Sequence, residues 1–143
     1  MEPDIIVYQP DGETKHRILI LQETLHNYSN WVLMDLLGNG CEIRIIFNGE
    51  IALQEILANK IDLVISGVML KKVSGYDVLD IVRNTPETKD IKFIVSTGLT
   101  NDKDISKAKE LDCTEYIDIK STPDNELLKK LHHHLGIKEK AAD

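Results

Sequence analysis

The sequence, 143 residues long, lacks most of what would assign a chain to a membrane, a nucleic acid or an oxidising compartment. No apolar run approaches the roughly 20 residues that a bilayer requires. Met1-Glu2-Pro3-Asp4 carries no basic side chain and does not open a signal peptide. There is no basic block in the interior: 17 Lys and Arg stand against 24 Asp and Glu, for a formal net charge of -7. A chain this acidic is repelled by phosphate backbones, which argues against nucleic-acid binding. Cysteine is scarce as well. Cys41 and Cys113 are too few for a disulfide framework or a metal site, and each precedes a predicted strand, where a small residue fits. Neither internal repeats nor low-complexity tracts are visible. These absences leave a cytoplasmic protein with no membrane partner as the expectation.

What is present is a chain of ordinary globular composition, 42% hydrophobic and 29% charged, long enough for one domain with a sizeable core. Four short apolar runs read as buried strands: 18–21, 43–47, 63–65 and 93–95. A fifth, 116–119, is more polar. Runs rich in Ile and Val without polar alternation suit a parallel sheet covered on both faces. Between them lie helix-period segments. Tyr28, Val32 and Leu36 form one stripe, with Leu25 and Trp31 alongside, and Trp31 reads as core packing. Ile51, Ala52, Ile56 and Leu57 form another after Asn48, a good N-cap. A third helix opens at Gly75 and carries Val78, Leu79 and Val82. The fourth, about 101–111, is the poorest, with only Ile105, Ala108 and Leu111 able to face a core. The fifth carries Leu127, Leu128, Leu131 and Leu135, with Pro123 just inside its start and Gly136 just past its end.

Strand and helix alternate five times, which predicts a three-layer α/β/α sandwich with right-handed crossovers and a site at the C-terminal ends of the strands. The predicted domain spans 17–136. Residues 1–16 form an N-terminal extension, in which Ile5-Ile6-Val7-Tyr8 is either an added edge strand or a loose leader. Residues 137–143 read as a flexible tail.

Several strings resemble the receiver domain of bacterial response regulators, over about 17–135. Asn48-Gly49-Glu50-Ile51-Ala52-Leu53 is similar to that family's second-helix start. Residues 62–70, followed by Ser74-Gly75-Tyr76-Asp77-Val78-Leu79, are similar to its third strand, active loop and third helix. The resemblance implies a five-stranded parallel sheet of order 2-1-3-4-5, the flavodoxin-like arrangement. In that order Cys41 and Cys113 begin opposite edge strands, four spacings and roughly 19 Å apart, too far for a disulfide.

A working receiver attacks a phosphoryl group with an aspartate at the end of the third strand and holds Mg²⁺ with help from two acids after the first. It then binds the phosphoryl oxygens through a hydroxyl and a lysine. By position, the resemblance puts Gly67 where the nucleophile stands, and Gln22 and Glu23 on the acidic pair. Thr97 keeps the hydroxyl position and Lys120 the lysine position. Ser121 replaces the usual following proline, and Tyr116 lies four residues before Lys120, where the family's switch aromatic lies three before. That offset means either a bulged strand or an aromatic that points elsewhere. Lys71 and Lys72 put two positive charges near the old site. A glycine supplies no nucleophile, and one carboxylate of three is a poor Mg²⁺ set, so a degenerate pseudo-receiver without metal or cofactor is the reading.

Neighbouring features have plainer explanations. Ser66 should face a helix layer and not replace the acceptor, because successive strand residues point to opposite faces. Asp62 lies at the far end of its strand. Lys120 is expected to pair with Glu23. His132-His133-His134 cannot chelate one ion, since consecutive helical residues point about 100° apart, and reads as a solvated helix face.

The expected function is therefore that of a phosphorylation-independent protein-interaction module in a two-component or phosphorelay pathway, and not an enzyme. Its partner, or a second copy in a homodimer, is expected on the face of the fourth helix, fifth strand and fifth helix, about 101–135. Two rivals are a sensor of a small anion or cofactor in the crevice of Gly67, Gly98, Thr97, Lys71 and Lys120, and a receiver phosphorylated at a non-standard residue.

Overall fold

The computed structural model describes residues 4–23 and 28–138. Leu25 and the end of the tail lie outside the described residues. Each apolar run becomes a strand whose neighbours point to opposite faces, so both faces need apolar side chains. In β2 (His16–Leu21), Ile18 and Ile20 join one buried cluster, while Leu19 and Leu21 join the other. Complete burial of one such side chain contributes about 1.5–3 kcal/mol.

The remaining strands are β1 (Ile5–Tyr8), β3 (Cys41–Ile46), β4 (Leu63–Ser66), β5 (Lys92–Thr97) and β6 (Glu115–Asp118). Their order in the sheet is β1-β3-β2-β4-β5-β6. The five parallel strands follow the expected order, and the 1–16 extension adds β1, antiparallel to β3. Of the two readings of that extension, the edge strand holds. Ile6 packs against one core cluster and Ile5 against the other, which gives this short strand its anchor. β3 is consequently an interior strand, so Cys41 begins no edge. Both cysteines are free, and burial, with Asp35 and Asp62 nearby, pushes the Cys41 thiol up to about 12.

The helices are α1 (Asn30–Gly38), α2 (Gly49–Ala58), α3 (Gly75–Arg83), α4 (Asp102–Glu110) and α5 (Asp124–Leu135). The side chains of Ser29, Asn48, Ser74 and Asn101 accept hydrogen bonds from first-turn backbone N–H groups of α1 to α4, each worth about 1 kcal/mol. α5 has no side-chain cap. Pro123 stands one position earlier than expected, at its N-cap, and Gly136 stops it in the left-handed conformation. α1 and α5 cover one face of the sheet; α2, α3 and α4 cover the other. α4 is the weakest anchor, with Ala108 its one fully buried residue.

Two expectations fail on this frame. Trp31 is 56% exposed, because Val32 and Leu36 take the core-facing stripe of α1. Of the three histidines only His133 is exposed, and the other two turn inward. His132 is buried with Nε2 2.6 Å from Asp35 Oδ2, and His134 Nε2 lies 2.7 Å from Glu115 Oε1. A histidine on the inner side of an amphipathic helix needs a polar partner, and α1 and β6 each present a carboxylate there.

Candidate functional site

Four parallel strands deliver the candidate residues to one end of the sheet. Gln22 and Glu23 follow β2, Gly67 follows β4, Thr97 ends β5 and Lys120 follows β6. Glu23, Gly67, Thr97 and Lys120 line one recess of about 340 Å³, with Ser96, Gly98 and Ile119 beside them and the exposed Met69 and Leu99 at its mouth. The sequence-derived grouping is thus brought together, except for Gln22, which is buried beneath it. A larger recess of about 600 Å³ lies between residues 9–15 and α1, at the opposite pole of the sheet.

Lys120 is held by a turn that sequence reasoning missed. Asp118 Oδ1 accepts from the Lys120 backbone N–H at 3.0 Å, and Asp118 Oδ2 accepts from the Ser121 hydroxyl at 2.8 Å. Those bonds, the Ser121 one foremost, hold the Asp118 carboxyl below its ordinary range. Ser121 therefore supplies a hydrogen bond where a proline would have supplied only rigidity. An aspartate followed three residues later by serine was the available signal. The Lys120 stem lies against Gly98, where an added Cβ would come within 2.7 Å of its Cε. The expected Lys120–Glu23 ion pair is not formed. The two side chains line the same recess, and neither enters an ion pair among the described residues.

The offset of Tyr116 is resolved without a bulge. β6 runs in continuous register on β5, with Tyr116 opposite Val95 and Asp118 opposite Thr97, so the extra residue falls in the Asp118 turn. Tyr116 packs on the α4 side, and its hydroxyl donates to the Leu99 carbonyl. Leu99 N–H in turn donates to Thr97 Oγ1 at 3.2 Å. Tyr76 braces the same region: its hydroxyl donates to the Asp104 carbonyl at 3.1 Å, and Lys107 Nζ sits 5.1 Å from its ring centre. Burial pushes both phenols up, with nearby Asp104 adding to each.

Lys71 and Lys72 are not part of the recess. Lys71 is tied through its backbone to the start of α2, accepting from Gly49 N–H at 2.9 Å, and Lys72 adopts a φ of 72°. Both side chains are exposed. Ser66 is fully buried, and its hydroxyl donates to the Gly67 carbonyl at 2.7 Å, so it faces away from the recess as expected. Asp62 lies at the other pole and accepts from Arg17 N–H at 2.8 Å.

The donor set does not fit Mg²⁺. Glu23 is the single carboxylate lining the recess, Lys120 is its cationic neighbour, and no cluster of three His, Cys, Asp or Glu suited to a metal exists among the described residues. Nor is any described helix long and apolar enough to cross a membrane.

Comparison with known proteins agrees with this architecture. A crystal structure assigned as a response regulator of Chloroflexus aurantiacus J-10-fl is 27% identical, with a TM-score of 0.74 over 85% of this chain and 98% of that one. The receiver domain of a signal transduction histidine kinase from Syntrophus aciditrophicus is 22% identical, with a TM-score of 0.73 over 90% and 96%. That level of identity speaks for the fold alone. A Vibrio cholerae serotype O1 protein named probable cyclic di-GMP phosphodiesterase is 31% identical over 88 residues, which make up 62% of this chain and 20% of the relative. The matched stretch is thus about a fifth of that protein's length. The family model of the response regulator receiver domain matches residues 20–132, and the chain therefore belongs to the response regulator receiver domain family of two-component signalling.

Proposed function

We propose that this receiver domain acts without accepting phosphate, as a protein-interaction module in its signalling pathway. The observation that carries the proposal is Gly67. It lies at the C-terminal end of β4, on the floor of the recess, with no side chain to attack phosphorus. The neighbouring hydroxyls do not replace it: Ser66 is turned into the α3 side of the sheet, and Thr97 Oγ1 is engaged by Leu99 N–H. A receiver phosphorylated at a non-standard residue is the weaker reading for that reason.

The partner face proposed is α4, β6 and α5, about 101–135. Its supports are the shallow anchoring of α4 on Ala108 and the alternating charges of Asp102 to Glu110, which suit recognition of a charged surface or of a second copy. Two measurements test the reading. Incubation of the intact chain with a small phosphodonor and Mg²⁺ should leave the intact mass unchanged; a stoichiometric phosphoryl adduct overturns it. Capture of a cellular partner should be abolished by charge reversal at Lys107 and Lys129, and capture indifferent to both variants moves the face elsewhere.

A further inference from the structure

We propose that the crevice over Gly67 is a binding site for a small carboxylate, whose head group occupies the space the glycine leaves between β2 and β5. This rests on the reading that Gly67 carries no phosphate acceptor, and it names a ligand class for the same site.

The sheet register carries the inference. Leu21 pairs with Ser66, and Ser66 pairs with Val95. One step further, Gln22, Gly67 and Ser96 stand abreast on three adjacent strands. With strands about 4.8 Å apart, Gln22 and Ser96 face each other across roughly 10 Å, with only a glycine between them. Both are buried, at 1% and 5% exposure, and the two polar atoms of the Gln22 amide, Nε2 and Oε1, have no hydrogen-bond partner. Buried polar groups are almost always paired, so an amide with neither end satisfied beside one gap marks a place built for a polar occupant. Ser96 has its own partner on that side, the Tyr28 hydroxyl: burial pushes that phenol up to about 12, and its hydrogen bond with Ser96 opposes the rise.

The backbone does not demand the glycine. Gly67 has no positive φ, and an added Cβ would meet nothing nearer than the Leu21 carbonyl at 3.6 Å and the Ser96 carbonyl at 3.9 Å. A Cβ would thus fit at ordinary van der Waals distance, and Gly67 and Ser96 also line the recess above. There the Lys120 ammonium, free of any ion pair among the described residues, and the Thr97 hydroxyl supply further donors. Thr97 Oγ1 accepts from Leu99 N–H, which leaves its own proton to donate outward.

Charge decides the class. Lys120 balances one negative charge, while Glu23 on the same rim opposes a second. With Glu23 already offsetting Lys120, a zwitterion leaves the rim neutral, a bare monocarboxylate adds one negative charge and a phosphate dianion adds two. A ligand amine would meet Glu23, so a zwitterion with a carboxylate and an amine is the best-matched form. A volume of about 340 Å³ admits a molecule of amino-acid size.

The test is an amide-resonance titration of the intact chain at constant ionic strength with sodium acetate, glycine and inorganic phosphate. Acetate and glycine should give saturable shifts at Gly67, Ser96, Thr97 and Gly98, glycine at the lower concentration, and phosphate should not saturate. Gly67→Asp places a carboxylate in the same space, and it should raise the half-saturating acetate concentration at least about tenfold. Lys120→Met should do likewise without touching the buried gap, so the proposal stays testable if the first variant misfolds. Shifts that fail to saturate by about 100 mM, or that ignore both variants, overturn the site. Saturation by phosphate at equal or lower concentration overturns the carboxylate class. The phosphodonor mass measurement is independent of all these outcomes, so either reading can fail alone.

Discussion

His132 of α5 and Asp35 of α1 meet at 2.6 Å, Nε2 to Oδ2, across the seam between the two helices that cover one face of the sheet. His132 is buried and the Asp35 side chain is 32% exposed, so the contact is only partly screened by solvent. Replacing Asp35 by Asn or His132 by Ala should each cost about 1–3 kcal/mol in urea unfolding. The double variant should lose less than the sum, with a coupling above about 0.5 kcal/mol. Simple additivity would show that the contact contributes nothing to stability.

A second pairing gives a pH dependence of known sign. Burial tends to raise the Glu115 carboxyl, but the hydrogen bonds from Lys130 at 2.6 Å and His134 at 2.7 Å outweigh it and hold it below its ordinary range. A carboxylate depressed in the folded state stabilises above its unfolded pKa of about 4.3, and that contribution disappears as pH falls through the folded value. Glu115→Gln should therefore be less stable than the parent at pH 7, by about 1 kcal/mol. The two should converge as pH falls through the lowered folded value of Glu115. Parallel stability curves across that window would contradict the assignment.

Two glycines eight residues apart should respond oppositely to alanine. At Gly67 the added Cβ makes ordinary van der Waals contact, with 3.6 Å to its nearest neighbour. At Gly75 it would lie 1.9 Å from the Gly67 carbonyl and 2.8 Å from Ser66 Oγ, so β4 and α3 would have to part. Gly67→Ala is expected within about 1 kcal/mol of the parent, and Gly75→Ala should lose about 3 kcal/mol or fail to fold. Equal losses in thermal melts would show that the close approach is not as described.

α4 should be the first helix to open. Ala108 is its single fully buried residue, and the hydrogen bond from Tyr76 to the Asp104 carbonyl is among its few ties to the body. Hydrogen exchange should find the amides of α4 less protected than those of α3 or α5. Tyr76→Phe should speed α4 exchange by up to about tenfold while leaving β5 unchanged. Uniform protection across the helices would refute this.

Most of the architecture was legible in the chain because it depends on local patterns. Apolar runs of three to five residues, separated by amphipathic segments with Ser or Asn caps, allow few arrangements besides a parallel sheet between two helix layers. The site residues Glu23, Gly67, Thr97 and Lys120 converge because each follows a strand at the same end of that sheet. The sequence by itself also determined the absence of a side chain at Gly67, since that is a matter of composition and not of folding. What only the tertiary structure decided are relations between segments distant along the chain. β1 became a strand because β3 offered it an edge, and Trp31 was left outside because Val32 and Leu36 took the inward stripe. The histidines found carboxylates that lie 97 and 19 residues away. Lys120 stayed apart from Glu23 because the Asp118 turn and Gly98 direct its stem. Gln22 and Ser96 came to flank Gly67 only through strand register, which no local pattern specifies, and that register sets a missing side chain beside the unpaired amide of Gln22.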